Sequence, residues 1–336
     1  MNQPSMTDSF RVPDDYAREY LAHAADLKLS TSSTDTYESH LRGYVVFLHD
    51  GEISVLDAAF TDVIEFVEEC VRRGNRQSTI EGKVATISEL YKYIRLRTEV
   101  GDELSLEPLR LDDIDVSRYR TPEPIEREAL SREELRRLFD AFDSYRNRLM
   151  AVVAVETGLR NSDLRELRIA DLDFDNLEIH VLNPKGSDPY DVPMSEELSY
   201  ELDFWLRHHR AGYASADKSP YVFPSQCGLK LETNGSLNQI IRDAADRAGL
   251  QEVIGESRIS KKQGTATEPE DETRQWHRVT PHTLRHSFIT LLADAGVDLS
   301  YRQLVANHAS AETTRGYTHT ADDRFGEIRE IFVSPR

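Results

Sequence analysis

Three apolar stripes at helical spacing, closed by a proline-interrupted acidic stretch, constrain this chain more than any other feature. Ile80, Val84, Ile87, Leu90 and Ile94 follow the 3.6-residue period of a helix that buries one face, with Ser78 or Thr79 placed to cap its start. Thr36 to His49 and Thr61 to Arg73 carry similar stripes, the second through Val63, Ile64, Phe66, Val67 and Val71. A small helical bundle follows. From residue 98 to 127 the pattern fails, because acids, Gly101, Pro108, Pro122 and Pro124 cannot continue a helix. The chain therefore divides into a flexible N-terminus at 1–12, a helical domain at 13–108, a linker at 109–127 and a second domain at 128–336.

The second domain opens on Ser131-Arg-Glu-Glu134, a capping box in which hydroxyl and carboxylate satisfy free amides at a helix start. Leu149 to Val155 reads as a buried helix ending at Thr157-Gly158, with another starting near Asn161. Between 177 and 194 the period changes to two. Leu177, Ile179 and Val181 alternate with polar neighbours, Asn183 to Pro189 hold turn residues and Val192 begins a return strand, which predicts a β-hairpin. Helices follow near 195–210 and 235–248, and the polar stretch 255–275 reads as a mobile loop or insertion. Helices resume at Thr283 and run to the end with short breaks. The predicted fold is mainly α with one small β-hairpin.

A length of 336 residues suits about two domains. No uninterrupted apolar run reaches the ~18 residues of a membrane span, and the start MNQPSMTDSF lacks the basic and apolar blocks of a signal peptide. A soluble, cytoplasmic protein with no membrane partner is expected. Cys70 and Cys227 stand far apart without a CxxC pattern, so neither a disulfide framework nor a zinc knuckle is indicated.

Sixty acidic against 41 basic residues give a net charge of -19, which at first argues against a nucleic-acid partner. Residues 1–127 carry 25 acids and 15 bases and residues 128–336 carry 35 and 26, so the two parts net -10 and -9 and neither is an acidic tail. Only eight of the bases are Lys, and a diffuse, Lys-poor acidic surface suggests adaptation to high salt. Two islands run against it. Arg72, Arg73, Arg76, Lys83, Lys92, Arg95 and Arg97 face only Glu81 and Glu89 within their stretch, a local excess of five. From Arg274 to Arg285 three arginines and two histidines occur with no acid.

Four segments of the second domain hold unusual polar clusters: Thr157-Gly-Leu-Arg160-Asn-Ser-Asp163-Leu, Lys185-Gly186 in the hairpin turn, His282-Thr-Leu-Arg285-His286, and His308 through Tyr317 to His319. Each alone is weak, since an Arg at a helix end or a Lys in a turn is usually solvated. His282 and His286 are four apart, as metal ligands on a helix can be. Thr283 nevertheless occupies the general-base position of an HExxH zinc motif, so no metal is expected.

Together the four segments resemble the signature of the tyrosine recombinase (phage integrase) family, with a Xer-like arrangement. The matching features are a TGLR segment followed by Ser-acid-Leu, a hairpin Lys, an HxLRH box, a His 23 residues beyond the box arginine and a Tyr nine residues later. They fall on Arg160, Lys185, His282, Arg285, His308 and Tyr317. The resemblance implies a helical, SAM-like core-binding domain ahead of a catalytic domain, and a two-domain site-specific recombinase or integrase acting on double-stranded DNA. The acidic, Lys-poor surface adds a haloarchaeal source, or a virus or mobile element of one, to the expectation.

The residue types suit phosphoryl transfer without metal, ATP or other cofactor. Two guanidiniums, Arg160 and Arg285, can hold the nonbridging oxygens of a phosphodiester through charge-assisted hydrogen bonds. A tyrosine can store the bond energy as a covalent intermediate, which the resemblance implies is a 3'-phosphotyrosyl DNA on Tyr317. It further implies that Lys185 is the general acid and that His282 and His308 serve the phosphate and the Tyr317 proton, with the base unassigned between them. Asp163 can orient a basic group or simply complement the helix dipole. His286 belongs to the box but reads as structural. Arg72, Arg73, Arg76, Lys83, Lys92 and Arg95 are the expected DNA-facing set.

Two departures stand out. Ala306-Asn307-His308 replaces the usual Leu-Gly-His, and Asn is the residue next best suited after Gly to a left-handed helix end. Asp188 sits in the hairpin turn where basic residues are common in the family. Beyond Tyr317, Phe325, Ile328, Ile331 and Phe332 lie at helical spacing; packing on their own domain or, as the resemblance implies, on a neighbouring subunit of a tetramer on two DNA sites both fit. Accessory DNA-bending proteins belong to the same expectation. Two competing readings share the fold: a catalytically silent DNA-binding regulator, and a topoisomerase-like enzyme that relaxes DNA.

Overall fold

The computed structural model describes residues 10–27, 29–123, 125, 128–182, 188–259 and 272–305. They divide into two compact units, the first built on residues up to 124 and the second on 125–256 and the chain from 275 onward, with 257–274 grouped with the first. Both are mainly helical, as the periodicity predicted.

Four helices make the first unit: α1 (Asp15–Leu27), α2 (Thr31–Asp50), α3 (Phe60–Arg72) and α4 (Gln77–Arg97). On α4 the predicted stripe Ile80, Val84, Ile87, Leu90 and Ile94 is buried, against Leu41, Tyr44, Val45 and Leu48 of α2 and Val63, Phe66 and Val67 of α3. Each such side chain contributes roughly 1.5–3 kcal/mol relative to exposure. Within this core the Tyr44 and Tyr91 hydroxyls lie 2.9 Å apart and Tyr91 donates to the Val55 carbonyl at 3.0 Å, so neither phenol is buried unsatisfied. Two starts differ from expectation. Helix α2 begins five residues before Thr36, with Ser30 accepting from the Ser33 amide, and α4 begins at Gln77 without the Ser78 or Thr79 cap. Hydroxyls near a helix start are ambiguous in sequence because several registers can use them.

The segment from 98 onward, which its prolines and acids mark as a break, is a chain of 3-10 turns at Gly101–Glu103, Pro108–Asp113 and Val116–Arg118. Leu104, Leu106, Leu111 and Val116 are buried in the first core. Leu111 and Val116, within the stretch assigned to the linker by composition, are thus packed, while Leu109 is exposed. Isolated apolar residues between polar ones carry no periodic signal, which is why the break looked solvated.

In the second unit α5 (Arg132–Asp140) starts with the predicted capping box: the Glu134 amide donates to Ser131 Oγ at 3.2 Å and the Ser131 amide to Glu134 Oε2 at 2.9 Å. Next, α6 (Tyr145–Thr157) is buried on all sides from Leu149 to Thr157 and forms the axis of the core. Then come α7 (Asn161–Glu166) and an antiparallel sheet of β1 (Leu172–Asp173), β2 (Glu178–Val181) and β3 (Tyr190–Pro193), in that order. The predicted hairpin is β2–β3, pairing Ile179 with Val192 and Val181 with Tyr190; β1, two residues long, was too short to read.

Helix α8 (Glu196–Phe204) runs into a π-helical turn at Trp205–His209, and α9 (Asn234–Arg247) follows. The expected loop at 255–275 is corrected at its flanks. There β4 (Val253–Ile259) and β5 (Glu272–His277) form a two-stranded sheet whose polar residues hid the alternation. Beyond β5 the Gln251 side chain clamps the Val279 backbone, accepting from its amide and donating to its carbonyl, both at 2.9 Å. That clamp sets the entry to α10 (Pro281–Asp294), which packs along α6 and precedes α11 (Leu299–Val305). No described helix is long and apolar enough to cross a membrane.

Candidate active site

The end of α6 builds the first half of the site. Gly158 takes a left-handed conformation at φ 63°, and a side chain there would collide with the buried Phe288 ring of α10, so both the turn and the close approach require glycine. Thr157 steadies the corner, its hydroxyl donating to the Val153 carbonyl at 2.6 Å and accepting from the Leu159 amide at 3.4 Å. Two residues on, Arg160 is the extended N-cap of α7 and keeps 29% of its side chain accessible, while Asp163 in the first turn keeps 3%.

Helix α10 supplies the second half. Thr280 caps it by accepting from the Thr283 amide, Pro281 occupies its first position and Thr283 donates to the Arg278 carbonyl at 2.6 Å. Arg285 is buried and donates to the Gly158 carbonyl, 127 residues away in sequence. The helix end that positions Arg160 is therefore also an anchor of Arg285. Asp163 links Arg160 to Tyr190: its Oδ2 lies 3.8 Å from Arg160 Nη1 and accepts from the Tyr190 hydroxyl at 3.4 Å, and its Oδ1 takes the Ser162 hydroxyl at 3.1 Å.

The electrostatics follow from burial. Desolvation pulls the Arg285 pKa below its ordinary value, and the like charge of Arg160 adds to this, with Tyr190 and Asp163 opposing. Burial pushes Asp163 upward, against the hydrogen bonds from Ser162 and Tyr190 and the charges of Arg160 and Arg285. Tyr190 is pushed up to about 12 by burial and then by the Asp163 carboxylate, so its phenol is neutral. Two neighbouring guanidiniums against one carboxylate retain a net positive charge, and an anion is the group that complements it.

Of the predicted residues the structure brings Arg160, Asp163 and Arg285 together. His282 and His286 are exposed on α10, one turn apart. Lys185, His308 and Tyr317 lie outside the described residues, as does the tail with Phe325, Ile328, Ile331 and Phe332. Sequence reading missed Tyr190. The return strand was taken to begin at Val192, two residues beyond it, so Tyr190 was assigned to neither turn nor strand.

In the basic island most cations already have partners. Arg72 and Arg73 both donate to Glu69, at 2.9 and 2.7 Å, and Lys83 donates to Asn75 Oδ1 at 2.5 Å and Cys70 Sγ at 3.4 Å. Lys92 meets Asp112 at 3.3 Å and Arg95 meets Glu107 at 3.2 Å. Those two acids lie beyond the stretch over which the sequence excess was counted; the fold returns them to α4. Arg76 is the N-cap of α4.

One other group gathers potential metal ligands. Glu178, His180 and Asp191, on the outer side of β2–β3, have ligand atoms within 4.8 Å of one another. The His180 Nδ1 is 2.6 Å from Asp191 Oδ1 and its Nε2 3.8 Å from Asp173 Oδ2, so the imidazole is engaged in cross-strand ion pairing.

Comparison with known proteins shows the family of the chain. Residues 128–324 match the phage integrase family, and residues 18–98 match its N-terminal SAM-like domain. A tyrosine recombinase of Pseudothermotoga lettingae is 24% identical over 93% of this chain and 96% of its own length. The tyrosine recombinase XerC of Bacillus licheniformis is 27% identical over 89% and 88%. Among solved structures, the Tn1549 transposon integrase in complex with transposon right end DNA superposes with a TM-score of 0.63 at 18% identity, over 92% of this chain and 96% of that one. The XerH recombinase bound to a palindromic difH substrate, a post-cleavage complex, gives 0.61 at 21% identity over 98% and 92%. With more than half its length matched by the family model, this chain belongs to the phage integrase family.

Proposed function

We propose that this protein is a site-specific DNA recombinase or integrase that cleaves and rejoins duplex DNA through a 3'-phosphotyrosyl intermediate. The observation that carries the reading is the meeting of Arg160, paired with Asp163, and Arg285, anchored on the Gly158 carbonyl, at the end of α6, where two guanidiniums against one carboxylate leave a positive charge that suits a phosphodiester. Support comes from relatives that are themselves tyrosine recombinases and from fold neighbours solved on DNA.

In this reading the two guanidiniums bind the nonbridging oxygens, and hold them more tightly as charge grows on the phosphorane-like transition state. Tyr317 attacks the phosphorus and the 5' oxygen leaves, taking a proton from Lys185. His282 and His308 bind the phosphate and manage the Tyr317 proton. Asp163 keeps Arg160 in place. The phosphotyrosine preserves the energy of the broken ester, so rejoining by the incoming 5' hydroxyl calls for neither ATP nor a metal. The first unit clamps the duplex, with Arg72, Arg73, Arg76, Lys83, Lys92 and Arg95 as its phosphate contacts. Four copies assemble on two sites through the C-terminal tail, with DNA-bending proteins as helpers, in the cytoplasm of a salt-loving, haloarchaeal host or its mobile elements.

The test is a nicked suicide duplex carrying the gene's own genomic flanks, incubated at high KCl. Wild type is expected to accumulate a covalent protein–DNA adduct and Tyr317→Phe none. Absence of an adduct in wild type across many candidate sites counts against the reading. Deleting residues 321–336 is expected to spare duplex binding and abolish tetramers on DNA.

A further inference from the structure

Tyr190 stands where the halves of the guanidinium cradle meet. It is the first residue of β3, and pairing of Ile179 with Val192 and Val181 with Tyr190 turns Tyr190 and Val192 to one face of the hairpin. Asp191, between them, turns to the other face and meets His180 at 2.6 Å. On its own face the Tyr190 hydroxyl donates to Asp163 Oδ2 at 3.4 Å. The Arg285 guanidinium interacts favourably with the same phenol, whose oxygen is free to accept from it while its proton goes to Asp163. A neutral phenol has one proton to give and lone pairs to receive, so it can do both at once.

Other buried arginines of this unit are held differently. Arg165 binds the Leu231 carbonyl at 2.6 Å with Asn161 and Asn234, Arg210 binds the carbonyls of Ala216, Ser219 and Tyr221, and Arg146 binds that of Pro224 at 2.8 Å. Such carbonyl cages fix a guanidinium for good and explain structural arginines. Arg285 donates to the Gly158 carbonyl and lies beside a network that includes a second, like-charged guanidinium, Arg160. Repulsion between Arg160 and Arg285 must be opposed for both to aim at one point, and the opposing groups are Asp163 and the phenol that ties Asp163 to Arg285.

We infer that Tyr190 is a positioning residue of this site, its hydroxyl bridging Asp163 and Arg285 so that the two guanidiniums are aimed together at a single oxyanion. The identity of that oxyanion as a DNA phosphodiester rests on the recombinase reading; the bridging geometry does not.

Two measurements on Tyr190→Phe, which keeps the ring and deletes only the hydroxyl, separate the two. In the first, inorganic orthovanadate is titrated into the full-length protein by calorimetry. The variant is expected to bind about tenfold more weakly than wild type. Affinity within about twofold of wild type, or no vanadate binding by wild type at all, overturns the inference. In the second, adduct formation is timed on a suicide duplex. A drop of about tenfold is expected with duplex affinity unchanged, shrinking to less than about twofold on a duplex whose scissile phosphate is a methylphosphonate, which lacks the charged nonbridging oxygen. A merely structural role would slow both substrates alike. If wild type binds vanadate yet forms no adduct with any duplex, the recombinase reading fails while the vanadate comparison still decides the role of Tyr190. Should Tyr190→Phe fold poorly, Asp163→Asn keeps the shape and weakens the phenol's acceptor. The same loss of vanadate affinity is expected there, and unchanged affinity overturns the inference.

Discussion

The molecule holds its cations in two ways. At the end of α6, Arg160 and Arg285 sit with a buried carboxylate and a neutral phenol, and desolvation makes every one of those contacts count. Along α4, Lys92 and Arg95 meet Asp112 and Glu107 at comparable distances, but in partners that are about half exposed. Water and salt screen such pairs, so they are worth little and exchange readily. The buried pair is suited to one fixed anion; the exposed pairs are suited to a partner that replaces the carboxylate with a phosphate wherever it docks. Charge counting along the sequence treats the two alike.

The comparison is sharpest at Arg285. Replacing it with Lys keeps the charge but loses the planar fork, and adduct formation on a suicide duplex is expected to fall by about 100-fold or more, while Arg95→Lys changes it by less than about twofold. Comparable effects at the two positions would end the distinction. A second break goes through the backbone. Gly158→Ala adds a methyl group against Phe288 at a left-handed position, and a loss of about 2–4 kcal/mol of unfolding free energy is expected from denaturant midpoints. Wild-type stability in that variant would mean the corner is looser than its geometry.

On the exposed side, Glu107→Gln combined with Asp112→Asn is expected to raise duplex affinity about two- to fivefold at low salt and to have no effect in molar KCl, read from binding isotherms. An unchanged low-salt affinity would place α4 away from DNA. The smallest effect concerns His180, whose pKa is raised above 6.5 by the hydrogen bond to Asp191 and the nearby carboxylates, against desolvation. Because the folded value lies above the unfolded one, this pairing stabilises the protein fully below pH 6.5 and the contribution disappears as pH rises through the folded pKa. The side chain is largely solvated, so roughly a few tenths of a kcal/mol are at stake. In Asp191→Ser that component of the pH dependence of thermal unfolding should shrink, since Asp191 is the largest cause of the shift and Asp173 and Glu178 remain.

Much of the fold was legible because periodicity is local. The α4 stripe, the Ser131 capping box, the Thr157-Gly158 end of α6 and the β2–β3 hairpin were all predicted from residues within one turn or one strand pair of each other. What escaped lacked such a signal. Leu111 and Val116 reach the first core from between acids and prolines, β1 is two residues long, and neither β4 nor β5 alternates apolar with polar residues. The site divides in the same way. Arg160, Asp163 and Arg285 were found through their motif spacing, whereas Tyr190 belongs to no motif and becomes part of the site only when β3 is folded against α7 and α10.

The sequence by itself determined which chemistry is available: two arginines in recognisable boxes, a hairpin lysine, histidines, a tyrosine, and a polar break between two helical regions. It could do so because motif spacing and helical period are properties of contiguous residues. Only the tertiary structure decided which of 33 arginines share a carboxylate and which are neutralised by an acid from elsewhere in the chain. Pairing across long loops depends on where the backbone returns, and the glycine corner at 158, the clamp of Gln251 on Val279 and the register of β2 with β3 are what set that return.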